Sequence, residues 1–303
     1  MSFLYWMEGL RIPILTELML LITHLGEETA FLVAAIIVFW CVSKKRGYYI
    51  LAVGFIGTLA NQFLKMIFRV PRPWVLDEGF TAVEAAKAEA TGFSFPSGHT
   101  QNSVGTYGAL SYTAKHRWSR ITALAVAVLV PFSRMYLGVH TLQDVIVSVL
   151  IAVILVLVVH PFVFGDGKKR MPMLLLGMLV LCVCYLLFVH LYPFPLDVDQ
   201  DRLASGVQNG YTMLGSLIGM LVVYIADEKW VHFPVKAKWW AQILKVILGL
   251  TLVLAVKSGL KTPLNLLMGE NIGRAVRYFF VVITAGIVWP LSFRWFSKLG
   301  CRE

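Results

Sequence analysis

Lys65 and Arg72 stand seven residues apart in the stretch Lys65-Met66-Ile67-Phe68-Arg69-Val70-Pro71-Arg72-Pro73. Seven residues make two helical turns, so the two cations would share a face if the helix ran on. Pro71 and Pro73 stop it and turn Arg72 into a loop. A lysine point charge beside an arginine's planar fork suits the oxygens of a phosphate group. The plainer alternative is two cations snorkelling from a helix end.

A second group is Phe95-Pro96-Ser97-Gly98-His99. A Pro-Ser-Gly run ahead of a helix presents backbone N–H groups at the positive end of its dipole, where an anion binds, and His99 falls in the first turn beside that anion. The third group is Ser133-Arg134, then His140 and Asp144. Arg134 and His140 flank the turn Tyr136-Leu137-Gly138, and Asp144 follows His140 by one helical turn on the same face. A carboxylate there can accept the Nδ1 proton of His140 and leave Nε2 as a nucleophilic lone pair. Taken singly, each group also reads as an ordinary hydrogen-bonded histidine or a His–Asp pair at a helix start.

The elements that must hold these residues are membrane helices. The chain has 303 residues, 58% hydrophobic and only 15% charged, which places it outside the soluble class. Apolar stretches of bilayer length predict about nine spans, near 27–43, 50–68, 98–115, 119–137, 140–163, 171–192, 207–226, 240–260 and 275–297. In lipid only helices or closed barrels satisfy the backbone, so the expected fold is an all-α polytopic transmembrane bundle. The apolar stretch 12–24 contains Glu17 and His24 and reads as an interfacial or re-entrant helix, with a further span as the alternative. The first eleven residues lack a basic region ahead of an apolar core, so no cleavable signal peptide is expected.

The formal net charge of +10 does not form a block of the kind that binds nucleic acid. Basic residues recur in short clusters between apolar runs: Lys44-Lys45-Arg46, Lys115 with Arg117 and Arg120, Lys168-Lys169-Arg170, Lys236 with Lys238, and Arg294, Lys298 and Arg302 at the C-terminus. The opposite loops carry Asp77, Glu78, Glu84, Glu89, Asp197, Asp199, Asp201 and Glu270. By the positive-inside rule the N-terminus lies outside and the C-terminus in the cytoplasm. The three chemical groups then fall on one extracytoplasmic face, where ionisable side chains mark function. Cys41, Cys182, Cys184 and Cys301 have no zinc or redox spacing, and no disulfide framework is expected. No Asp, Glu, His cage of metal-ligand spacing appears, so neither a metal nor another cofactor is expected.

Taken together, Lys65–Arg72-Pro73, Pro96-Ser97-Gly98-His99 and Ser133-Arg134–His140–Asp144 resemble the three-part signature of the type 2 phosphatidic acid phosphatase superfamily, K-x6-R-P, P-S-G-H and S-R-x5-H-x3-D, at every position. The resemblance covers roughly residues 27–165, and Ile22-Thr23-His24-Leu25-Gly26-Glu27-Glu28 is similar to one branch of that family. It implies that His140 attacks phosphorus with Asp144 orienting it, and that His99 serves as acid and then base. It also implies that Lys65, Arg72, Arg134, Ser97 and Gly98 hold the phosphoryl oxygens.

The expectation is therefore a metal-independent hydrolase of a lipid phosphate or diphosphate (isoprenoid diphosphate, phosphatidate or sphingoid-base phosphate) in the plasma or inner membrane, partnered by membrane lipids and not by nucleic acid. An enzyme of soluble phosphate esters and a lipid transporter or flippase are the alternatives. The expected organisation is an N-terminal interfacial segment at 1–26, a catalytic core at 27–170 and a C-terminal transmembrane extension at 171–303. Gly206, Gly210, Gly215 and Gly219 form two small-xxx-small pairs in that extension, compatible with close helix packing. The segment 74–91, rich in alanine with Asp77, Glu78, Glu84 and Glu89, predicts a short helix over the pocket mouth, its acids beside Lys65 and Arg72.

Overall fold

The structure is a computed structural model that describes residues 1–90, 92–167, 169–195 and 198–299. Thr91, and with it the end of the segment 74–91, as well as Lys168, Asp197, Cys301 and Arg302, lie outside the described residues. The described residues form helices and no strand: α1 Ser2–Gly9, α2 Pro13–Thr23, α3 Glu28–Cys41, α4 Lys44–Phe68, α5 Pro73–Leu76, α6 Glu84–Glu89, α7 Gly98–Thr113, α8 Arg117–Tyr136, α9 Leu142–Phe164, α10 Arg170–Leu191, α11 Gln200–Ala226, α12 Trp239–Gly259, α13 Lys261–Ile283 and α14 Phe293–Lys298. The all-α membrane fold expected from the sequence is the one observed.

Six described stretches are long and apolar enough to cross a membrane: Lys44–Leu76, Leu142–Phe164, Arg170–Leu191, Gln200–Val231, Trp239–Gly259 and Lys261–Lys298. The pair α1 and α2, bent by 119° at Leu10 to Ile12, brings the number to seven if it counts as one broken span. About nine spans is therefore not reached, for physical reasons. At 14 residues α3 is short of bilayer length. α7 buries Thr100, Gln101, Ser103, Thr106 and Ser111, so its polar side chains are turned into protein. α8 carries Arg117, Arg120 and Arg134.

The chain divides into two compact units. The first comprises Met1–Ala34, Tyr49–Pro161 and Phe194–Gly206, and it contains all three chemical groups. Within it the Tyr49 hydroxyl of α4 donates to the Val156 carbonyl of α9 at 2.5 Å, and Phe31 of α3 meets Phe55 of α4 edge to face. α2 and α6 share an apolar cluster with the turn after α8, built on Met19, Ala82, Ala86, Tyr136, Leu137 and Val139. Arg11 ties the same turn down, donating from Nε to the Tyr136 carbonyl at 2.9 Å and from Nη1 to the Thr81 carbonyl at 2.6 Å. Gly138 takes φ +77° in this turn, a left-handed conformation open to glycine, and a Cβ there would lie 2.5 Å from Arg11 Nη2.

The second unit comprises Ala35–Tyr48, Phe162–Pro193 and Val207–Glu303. Its glycines do pack closely: a Cβ on Gly215 would lie 1.9 Å from the Ala275 carbonyl of α13, and one on Gly210 would lie 2.6 Å from Leu186 of α10. Lys245 is fully buried there and donates to the Trp40 carbonyl at 2.9 Å with the Phe293 ring 4.4 Å away. Lys44 of the first basic cluster pairs with Asp227 at 2.7 Å. α13 is broken at Gly269, where φ is +75°.

Candidate active site

The last turn of α4 ends at Phe68 and carries Lys65, which belongs to the first unit with the other motif residues. Lys65 Nζ donates to the Phe93 carbonyl at 2.6 Å. Pro73 begins α5, so Arg72 is the extended residue between two helices and its side chain turns inward, 3% exposed. Its Nε donates to the Gly92 carbonyl at 3.3 Å, and its Nη1 to the Val139 carbonyl at 2.9 Å. The same Nη1 stands 3.0 Å from His140 Nε2.

That contact fixes the histidine. A guanidinium only donates, so Nε2 must accept, and the ring proton of a neutral His140 sits on Nδ1. Nδ1 lies 3.4 Å from Asp144 Oδ2, an ion-pair distance at which no hydrogen bond is formed. That carboxylate oxygen is instead held by the Ser94 hydroxyl at 2.6 Å and by the Thr141 N–H at 2.8 Å. The histidine and aspartate share one helix face as their spacing predicts, and both are almost fully buried.

Ser97 caps α7, its hydroxyl oxygen accepting from the Thr100 N–H at 3.4 Å. Accepting leaves the Ser97 O–H free to donate. Gly98 opens the helix, and a Cβ placed on it meets nothing within 4 Å. His99 follows, its Nε2 buried without a hydrogen-bond partner among the described residues. Arg134, in the last turn of α8, is 1% exposed, donates from Nη1 to Thr23 Oγ1 at 2.7 Å, and has an orphaned Nε. The Ser133 hydroxyl of the same motif donates to the Val130 carbonyl at 2.7 Å.

The structure thus brings Lys65, Arg72, Ser97, Gly98, His99, Arg134, His140 and Asp144 into one compact unit. Among the buried polar side-chain atoms without partners are His99 Nε2 and Arg134 Nε. Unpaired buried donors are costly, and their clustering around cations points to an anionic ligand.

Residues outside the three motifs complete the site. Thr23 supplies the oxygen on Arg134, and Ser94 holds both Asp144 and, through its N–H at 2.8 Å, the Val70 carbonyl. Gly26 lets the N-terminal segment approach α7 closely, since a Cβ there would fall 2.9 Å from the His99 carbonyl and 2.5 Å from Val130 Cγ1. The similarity of the run Ile22–Glu28 to one family branch is the sequence signal for Thr23 and Gly26, whereas Ser94 carries none.

Two expectations about acidic residues change. Glu89 of α6 acts electrostatically on Arg134, and the acid that acts on Lys65 and Arg72 is Asp144. Glu89 also meets His24 and Glu27, the three offering ligand atoms within 4.8 Å of one another. They form one candidate metal-ligating group among the described residues, in which Glu89 joins the neighbouring His24 and Glu27 only through the fold. None of its members belongs to the three motifs.

Residues 45–168 match the family described as the PAP2 superfamily, and residues 211–302 match the PAP2 superfamily phosphatase, transmembrane extension. Over 150 residues the chain is 33% identical to phosphatidylglycerophosphatase B of Bacillus subtilis (strain 168), an alignment covering 45% of this chain and 70% of that protein. No solved structure matches the chain.

Proposed function

Since the chain belongs to the PAP2 superfamily and is a membrane phosphatase of that family, we propose that it hydrolyses a lipid phosphate or diphosphate through a phosphohistidine formed on His140. The observation that carries the reading is the 3.0 Å contact between Arg72 Nη1 and His140 Nε2. It puts a phosphate-binding fork against the lone pair that would attack phosphorus.

In the proposed reaction the substrate phosphoryl group draws Arg72 away from Nε2, and Lys65, Arg134, the Ser97 hydroxyl and the Gly98 N–H take its remaining oxygens. His140 Nε2 forms a bond to phosphorus as the bond to the leaving oxygen breaks. The leaving oxygen takes the electron pair and a proton from His99. Asp144 faces the Nδ1 proton and stabilises the charge that forms on the ring. A water then gives its proton to His99, attacks phosphorus and releases inorganic phosphate, and the P–N pair returns to Nε2. The cations spread the equatorial charge in both steps, so no step calls for a metal.

The lipid preference is supported by the lipid phosphatase activity for which the Bacillus relative is named and by the number of apolar helices. The charge pattern of the loops supports an extracytoplasmic pocket in the plasma or inner membrane. Purified enzyme assayed against an isoprenoid diphosphate, phosphatidate, a sphingoid-base phosphate and a water-soluble sugar phosphate tests the reading. The highest kcat/KM is expected on a lipid, and preference for the sugar phosphate would overturn the lipid assignment.

A further inference from the structure

Arg202 comes from the first turn of α11, far along the chain from the motifs, yet it belongs to the same compact unit. Its guanidinium stands over the Phe93 ring, 5.5 Å from the centroid, and the carbonyl of Phe93 is the acceptor that holds Lys65 at 2.6 Å. Its charge acts on both Lys65 and Arg72. Phe194, at the start of the same segment, lies 5.9 Å from the Arg69 guanidinium. Phe194 and Arg202 thus meet Arg69, just after α4, and Phe93, whose carbonyl holds Lys65.

The state of this guanidinium sets it apart from the buried cations. Its side chain is 27% exposed, and Nε pairs with Asp199 Oδ2 at 2.9 Å. Its two terminal amino groups have no hydrogen-bond acceptor among the described residues. Lys65 and Arg72 already face Asp144, and Arg134 is acted on by Glu89 and Glu27, so these cations form a set of their own around the motifs. Arg202 stands outside that set, paired with Asp199. The pair gains a purpose when the substrate brings a second anion that exchanges for Asp199, whose side chain is 45% exposed and easily released.

We propose that Arg202 is a specificity-determining residue whose fork takes the second phosphate group of a substrate that carries two. That group is either the inner phosphodiester of a phospholipid ending in a phosphomonoester or the second phosphate of a diphosphate. The inference rests on the phosphatase reading above. Stacking on Phe93 orients the fork, and the terminal amino groups match two phosphate oxygens side by side. The extension thereby contributes to the choice of substrate, while the motifs supply the chemistry.

The test uses the purified full chain in detergent micelles with three substrates: a phospholipid bearing a terminal phosphomonoester and a phosphodiester, an isoprenoid diphosphate, and phosphatidate, which has one phosphate. Arg202→Ala is expected to raise KM for a two-phosphate substrate roughly tenfold relative to its effect on phosphatidate, with kcat little moved. Arg202→Lys should restore part of the loss. Asp199→Asn keeps an oxygen to accept from the Asp201 and Arg202 N–H groups while freeing the guanidinium, and should lower the same KM. Whichever two-phosphate substrate shows the shift identifies the source of the second anion. Equal changes on all three substrates, or none on any, would overturn the proposal and leave the phosphatase reading standing. A wild-type enzyme that turns over none of them would overturn both.

Discussion

Ser94→Ala isolates the support beneath the proposed nucleophile without touching the phosphate cradle. Ser94 is fully buried, and its hydroxyl donates to Asp144 Oδ2 at 2.6 Å, the oxygen that lies 3.4 Å from His140 Nδ1. A hydrogen bond to a charged acceptor contributes about 1.5–3 kcal/mol, and losing one from a buried carboxylate leaves that group under-satisfied. The Thr141 N–H, at 2.8 Å, still holds the same oxygen, so the lower end of the range applies. If the loss falls on the transition state it lowers kcat about tenfold. KM should stay near the wild-type value, because Ser94 offers nothing to the phosphoryl oxygens. Ser94→Cys, a weaker donor of similar size, should fall between the two. The assay is steady-state turnover of the best lipid substrate, alongside thermal unfolding to separate rate from stability. A Ser94→Ala enzyme with kcat within about twofold of wild type would refute the claim that this hydroxyl positions Asp144.

Gly26→Ala forces a methyl to within 2.5 Å of Val130 Cγ1 and 2.9 Å of the His99 carbonyl, so it should destabilise the fold by about 1–3 kcal/mol and lower kcat by displacing His99; unchanged melting and turnover would contradict this. Activity should persist in excess chelator and be inhibited by vanadate, which adopts the trigonal-bipyramidal geometry of phosphoryl transfer. Loss in chelator restored by magnesium would instead bring the His24, Glu27 and Glu89 group into the mechanism. In a cysteine-free background, an impermeant thiol reagent added outside should label Glu84→Cys and miss Lys169→Cys, and the reverse pattern would place the pocket in the cytoplasm.

The motif residues are legible in the sequence because helical spacing and proline stops put their chemistry at helix ends. Lys65 at the end of α4, His99 in the first turn of α7 and Asp144 in the first turn of α9 all sit where that reasoning places them. The span count is less legible because the stretch 98–115 reads as a span, whereas α7 is 16 residues long and buries Thr100, Gln101 and Ser103. Ser94 and Arg202 are single polar residues from separate segments, brought beside Asp144 and Phe93 by tertiary packing that has no spacing to betray it. Composition sets the acids of α6 beside Lys65 and Arg72, but Ala82 and Ala86 dock the segment on the turn after α8 and leave Glu89 beside Arg134. The small-residue pairs of α11 acquire meaning only from their neighbours, with Gly210 against α10 and Gly215 against α13.

The most direct test of the account is to trap the covalent intermediate. Wild-type enzyme mixed briefly with substrate carrying a radiolabelled phosphoryl group and quenched in alkali should retain label that survives base and is released by acid, as a phosphoramidate is. Peptide mapping should place that label on His140, and His140→Ala should carry none and show no turnover while melting like the wild type. Label on another residue, or a His140→Ala enzyme that still turns over substrate, would contradict the phosphohistidine mechanism.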